Sequence, residues 1–379
     1  MHRCVLLIFA LLFSADVALG LEIVRVKRDD REFTVSGRIL AEADDGGLLL
    51  QSTDGVIWRL PPEEQVKREQ DSTPFVPLSQ AELGEKLKSE LPAGFEIHAT
   101  KNYLICHNTS KAYAQWCGSL FERLHLAFNN FWSRKGFDLK KPEFPLVAVV
   151  FADKASYARY ARGELGDAVD AIIGYYNFDT NRMTMYDLTG SEALRRPGDR
   201  GSTAAQINTI LQRPDAMRTV ATIVHEATHQ IAFNCGLQTR CSDIPLWVSE
   251  GLAMYFETPD LQSATGWRGI GALNHARLNM FRDYVTRRPA GSLKSLIMDD
   301  SRIRDPKTAG DSYAEAWALN YFLVNQRPKQ YLEYFKLLAL KQPQVQDEPE
   351  TRLQEFQQIF GENLQQLDAE FVRYMLKAR

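Results

Sequence analysis

The segment Thr219-Val-Ala-Thr-Ile-Val-His-Glu-Ala-Thr-His-Gln-Ile-Ala-Phe233 constrains this chain more than any other. It sets a His-Glu-x-x-His pattern inside an amphipathic helical repeat. Residues four apart share a helix face, so His225 and His229 can aim both imidazoles at one metal ion. Glu226, one residue on, is placed to act on a metal-bound water rather than to bind the metal itself. A catalytic zinc takes three protein ligands and keeps one position open, so a third ligand must return to this helix face from elsewhere.

The segment Asp243-Ile-Pro-Leu-Trp-Val-Ser-Glu-Gly-Leu-Ala-Met-Tyr-Phe-Glu257 reads as a second helix opened by Pro245, with Glu250 in its first turns. Between the two helices, Asn234-Cys-Gly236 supplies a stop signal with glycine at a helix end. The interval is long enough for the chain to turn and bring Glu250 back to the histidines. Glu257, seven residues further on, is a rival ligand that ranks behind Glu250. A metzincin ligand scheme fails, because Ala232 and Cys235 stand where it needs glycine and histidine. Trp247 is expected to pack this second helix onto the core.

Together, His-Glu-Ala-Thr-His and Trp-Val-Ser-Glu-Gly-Leu-Ala-Met-Tyr resemble the gluzincin branch of zinc metallopeptidases, the clan of thermolysin and the zinc aminopeptidases. More narrowly, the chain resembles secreted bacterial members of that clan with undefined substrates. The similarity is strong over about residues 215–257 and looser over about 95–340. It implies one Zn2+ held by His225, His229 and Glu250, with Glu226 as general base in peptide-bond hydrolysis. It also implies a later tyrosine that steadies the oxyanion. Tyr313 is the candidate, with Tyr255 and Tyr321 as alternatives. The competing expectation is a non-catalytic zinc-binding scaffold or binding protein that keeps this fold without turnover. A third is another zinc-assisted amide hydrolysis, for example on a cell-wall peptide. His275 is expected to be structural or substrate-lining, and His98, His107 and His125 show no metal spacing.

Net charge of −3 and a pI near 6.2 argue against nucleic acid or an anionic membrane surface as an electrostatic partner. The expected partner is a peptide or protein substrate. Residues 1–20 carry a basic start, the apolar run Val5–Phe13 and a small-x-small site at Ala18-Leu-Gly20. This is the pattern of a signal peptide, so the mature chain is expected to be exported, periplasmic or secreted. No later apolar run has the length of a membrane span. Four cysteines would follow cleavage. In an oxidising compartment the simplest pairing is Cys106–Cys117 and Cys235–Cys241, the latter stapling the loop between the zinc-bearing helices.

The expected fold class is α+β, zincin-like, with a mixed sheet, a helical C-terminal half and a small N-terminal β module. The module spans 21–62, a small barrel or meander with Asp-Gly turns. Residues 63–92 read as a polar linker and a short helix opened by the capping box Ser79-Gln-Ala-Glu82. The catalytic unit is expected over 93–379. Within it, 172–177 and 182–187 read as strands, one of them an edge suited to binding substrate by β-addition. Residues 189–202 are glycine-rich and charged and read as a loop.

Overall fold

Alternating apolar residues set the N-terminal unit. Val24, Val26, Val35, Leu48, Leu50 and Leu60 point to one side of a five-stranded antiparallel sheet and form its own small core. Its strands are β1 (Glu22–Arg28), β2 (Arg31–Glu42), β3 (Leu48–Gln51), β4 (Ile57–Leu60) and β5 (Gln65–Gln70), in the order β4-β3-β2-β1-β5. Strands β1 to β4 thus form a meander, and β5 returns to pair with β1 at the opposite edge. Its Asp-Gly steps turn as expected, with Gly46 and Gly55 at φ of +89° and +85°.

The presence of β5 corrects the linker reading, since Gln65–Gln70 pairs antiparallel with β1 and the unit runs on to Val76. All six of its residues are polar apart from Val66, and most are exposed. Nothing in their hydropathy marks a strand; backbone pairing to β1 creates it.

The structure is a computed structural model that describes residues 20–190, 203–258, 260–263 and 267–379. The expected signal peptide and most of the expected 189–202 loop lie outside the described residues.

The second unit opens with α1 (Gln80–Glu90), whose capping box forms: Glu82 N–H donates to Ser79 Oγ and the Glu82 carboxylate accepts from Ser79 N–H. Next come β6 (Glu96–Ala99), β7 (Tyr103–His107), α2 (Lys111–Lys135), β8 (Leu146–Phe151), α3 (Lys154–Leu165), β9 (Gly174–Asn177) and β10 (Arg182–Tyr186). The sheet order is β6-β7-β8-β10-β9. Strands β7, β8 and β10 run parallel, and the two outer strands run antiparallel to their neighbours. Every residue of β8 is buried, which explains its uninterrupted apolar run.

All the remaining described elements are helical: α4 (Ala204–Leu211), α5 (Pro214–Asn234), α6 (Leu246–Phe256), α7 (His275–Val285), α8 (Ser292–Met298), α9 (Ser301–Arg304), α10 (Ala309–Gln326), α11 (Pro328–Leu338), α12 (Pro349–Phe360) and α13 (Leu364–Lys377). The fold is therefore α+β, with a mixed sheet, a helical C-terminal half and an N-terminal β unit. Among the described residues, no helix is long and apolar enough to cross a membrane.

Helix α5 lies on the β9–β10 side of the sheet. Gln230, fully buried on it, donates from Nε2 to the Val147 carbonyl at 2.9 Å and the Asn181 carbonyl at 3.0 Å. A buried amide bonded to β8 and to the turn before β10 fixes the rotation of the helix about its axis.

Candidate metal centre

Pro214 opens α5 at its first position, and Ala216, Val220, Ile223, Val224, Ala227 and Ile231 bury its apolar stripe. The adjacent stripe holds the histidines. The helix stops where expected, with Gly236 at φ +76°. The chain then turns into α6, which Trp247 seats on the core; its indole is fully buried and stacks on Tyr334 with centroids 5.8 Å apart.

This turn places Glu250 beside the histidines. His225 Nε2 lies 3.1 Å from His229 Nε2 and 3.1 Å from Glu250 Oε2, and His229 Nε2 lies 3.5 Å from Glu250 Oε1. These are the spacings a four-coordinate ion requires, because ligands about 2.0–2.1 Å from a tetrahedral centre stand about 3.3 Å apart.

The far sides of the rings support the same reading. His225 Nδ1 contacts Glu257 Oε1 at 2.8 Å, and His229 Nδ1 contacts Ser249 Oγ at 3.2 Å. A carboxylate can only accept, so His225 Nδ1 carries the proton; Ser249 can accept from His229 in the same way. The two Nε2 atoms face one another across the gap, and that of His225 also faces Glu250. A cation seated between them would take both lone pairs and replace the contacts that His225 Nε2 makes with His229 and Glu250. The charges agree. Glu226, Glu250 and Glu257 against Arg277 leave two negative charges when the histidines are neutral, which a divalent ion would cancel. The same demand for positive charge shows in the rings: burial alone would raise the Glu250 carboxyl, but the two imidazoles in their protonated form pull it far below the ordinary range. The donor set therefore fits the expected ion.

Glu226 is held differently. Its Oε2 accepts the backbone N–H of Tyr176 at 2.9 Å, so the edge strand β9 orients it. Burial raises its pKa, opposed by the two histidines and reinforced by the charge of Glu250. A carboxylate shifted in this direction is better suited to taking up a proton.

Tyr313, on the first turns of α10, and Arg277, on α7, complete a cavity of about 450 Å3 with Glu226, Glu250, Tyr176 and Phe178. Burial pushes the Tyr313 hydroxyl well above its ordinary pKa, and the charges of Glu250 and Glu226 add to this, so it stays a neutral donor. Neither alternative tyrosine lines the cavity. Tyr255 packs among Phe131, Phe256 and Tyr321, and Tyr321 packs on Trp317. Helices α6 and α10 meet at Gly251, the residue after Glu250. A Cβ there would stand 1.9 Å from Asn320 Nδ2 and 2.6 Å from the Ala316 carbonyl, so the approach requires glycine.

Glu257 is the one candidate whose place changes. It buttresses His225 from outside the ligand set, and Arg277 Nη2 holds it at 3.2 and 3.3 Å. Arg277, Ser249 and Tyr176 were not legible as site residues; only Ser249, next to Glu250, carried a positional hint. His275 opens α7 and borders a different depression, beside Leu376 and Lys377. His98, His107 and His125 lie outside the cluster, as their spacing indicated.

The two expected disulfides are not formed; all four cysteines are free thiols. Cys235 Sγ lies 3.8 Å from His125 Nε2, whereas Cys241 Sγ lies 3.8 Å from Asp179 Oδ1, so these thiols face different neighbours. Cys106 lies on β7 and Cys117 on α2, where Cys117 is bonded with Tyr113 one turn away. An ion pair ties down the loop in place of the expected staple. Arg352 clasps Asp243, with Nε 2.9 Å from Oδ2, and also reaches Asp300 at 3.2 Å. Asp300 in turn accepts the Leu246 N–H at 2.9 Å, at the start of the Glu250 helix.

A family described only as a protein of unknown function, DUF1570, matches residues 219–345. The matched stretch contains His225, Glu226, His229, Glu250, Glu257, Arg277 and Tyr313. No curated protein matches the chain.

Proposed function

We propose that this protein is an exported zinc-dependent peptidase of gluzincin type. The observation that carries the reading is the trio of donor atoms on His225, His229 and Glu250, at tetrahedral spacing and with the outer ring nitrogens already engaged. The resemblance of both helices to gluzincin sequences supports zinc over other divalent ions, and the N-terminal pattern supports export.

When bound, zinc acts as a Lewis acid and brings the pKa of water to about 7. Glu226, fixed through Oε2 by the Tyr176 N–H, takes a proton from the attacking water and delivers it to the leaving amine. Tyr313 donates a hydrogen bond from its hydroxyl to the oxyanion as it develops and keeps its proton. Arg277 and Glu257 keep the His225 ring in one orientation, which is a positioning role.

The test is digestion of a diverse peptide library by the mature zinc-loaded protein and by Glu226→Gln, with cleavage read by mass spectrometry and metal content by elemental analysis. Cleavage by the native protein should fall about 10²–10⁴-fold in the variant with zinc content unchanged. Zinc bound by both proteins with no cleavage by either would replace the peptidase with a non-catalytic zinc-binding scaffold. Tyr313→Phe should lower kcat about 10²-fold and leave KM and zinc content near native values. A Tyr313→Phe enzyme at native rate would remove this residue from the mechanism.

A further inference from the structure

Away from the candidate centre, the outer face of α2 forms one wall of a cleft of about 700 Å3. The residues it presents, Arg123, Leu126, Ala127, Asn130, Phe131 and Arg134, recur at three- and four-residue spacing and so lie along one helix face. The opposite wall comes from Trp267, Arg268 and Ile270. Four cations line the cleft and no described lining residue is acidic, although the chain as a whole carries a net charge of −3.

The cations sit at two ends. At one end Arg123 lies over the Trp267 ring at 6.0 Å and donates Nη1 to the carbonyls of Asp260 and Ser263 at 2.8 and 2.6 Å. Arg268 is beside it and meets Asp260 at 3.4 Å, the nearest carboxylate. At the other end Lys135 lies over the Phe131 ring at 4.8 Å, and neither Lys135 nor Arg134 has a carboxylate partner among the described residues. Between them the floor is apolar, and Leu126 is 54% exposed. Residues 123 and 134 are about 17 Å apart along the helix, the span of about five extended peptide residues. Burial lowers the pKa of both Arg123 and Lys135, against the pull of Asp260 in the first case, so an anion in the cleft would favour their charged forms.

We propose that this cleft binds an extended acidic peptide segment, with carboxylates at each end and apolar side chains between them. A nucleic acid, evenly charged along its length, would leave the apolar floor unmatched. The inference does not depend on the peptidase reading, because it concerns binding alone.

The experiment is fluorescence polarisation with the full mature chain and a labelled seven-residue probe carrying two aspartates at each end and three leucines between. The acidic probe should bind at least tenfold more tightly than its asparagine counterpart. It should weaken several-fold between low and physiological salt. Arg134→Glu with Lys135→Glu should weaken it at least tenfold. Arg134→Gln with Lys135→Gln should do so to a smaller extent, and is the variant to read if the reversal perturbs the melting temperature. Failure of the native chain to bind the probe at millimolar concentration would overturn the proposal. So would equal affinity for the asparagine probe. Tighter binding of a sulfated oligosaccharide of the same charge would also overturn it and assign the cleft to a glycan.

Discussion

Two clusters of buried charge flank α10, and they are built on opposite principles. Around Glu315, whose side chain is fully buried, every charge has its counterpart. Arg288 Nε and Arg302 Nη2 each donate to it at 2.7 Å, Ser292 Oγ donates at 2.8 Å, and Arg288 also clasps Asp368 at 2.6 and 2.8 Å. Two guanidiniums meet two carboxylates, and α8, α9, α10 and α13 are tied together. Two residues earlier, Tyr313 faces the other cluster. There three carboxylates meet one guanidinium, and the ring nitrogens of His225 and His229 point at each other. Since buried polar groups are ordinarily satisfied, the first arrangement is complete and the second is built around something further.

Breaking the complete cluster should have the larger effect on the fold. Glu315→Gln leaves Arg288 and Arg302 buried beside a neutral amide, at a cost of about 3–5 kcal/mol in denaturant unfolding, with metal content unchanged. A loss below about 1 kcal/mol would remove the contrast. In the other cluster, Glu257→Gln should weaken zinc binding by about 10–100-fold in a competitive chelator titration while His225 remains a ligand. An unchanged affinity would show that Glu257 does not orient the ring.

The smallest effect is expected at Asp243, which belongs to the complete kind. Burial alone would raise its carboxyl, but hydrogen bonding and charge from Arg352 win and hold it below the ordinary range. A depressed folded-state pKa contributes stability above the unfolded value and loses it as pH falls through the folded one. Asp243→Asn should therefore cost about 2 kcal/mol at neutral pH, and the gap to the native protein should close as pH falls below about 4. A gap that stays constant into acid would mean that the pair contributes through shape rather than charge.

The same distinction explains how much could be read in advance. His225, Glu226 and His229 were legible because a helix repeats every 3.6 residues and places them without help from the rest of the chain. Glu250 was legible through its own helix and the stop at Gly236. Tyr313 emerged from the resemblance rather than from spacing. Arg277 and the role of Glu257 depend on how α7 packs on α10 and so brings Arg277 to the end of α6, and no local pattern encodes that packing. The strand β5 was missed because its polar residues pair through backbone alone. The disulfide reading rested on cysteine count; fixing the α5–α6 loop falls instead to Arg352, more than a hundred residues from Asp243 in sequence.

Gly251 has a consequence for motion. Because α6 and α10 approach so closely there, with Asn320 and the Ala316 carbonyl filling the space a side chain would need and Asn320 donating to the Trp247 carbonyl, the two helices are tied together. Glu250 and Tyr313 thus travel as one body. Any breathing of the cavity that admits a ligand is expected from its other walls, Tyr176 and Phe178 beside β9 and Arg277 on α7, with the distance between Glu250 and Tyr313 preserved while it opens.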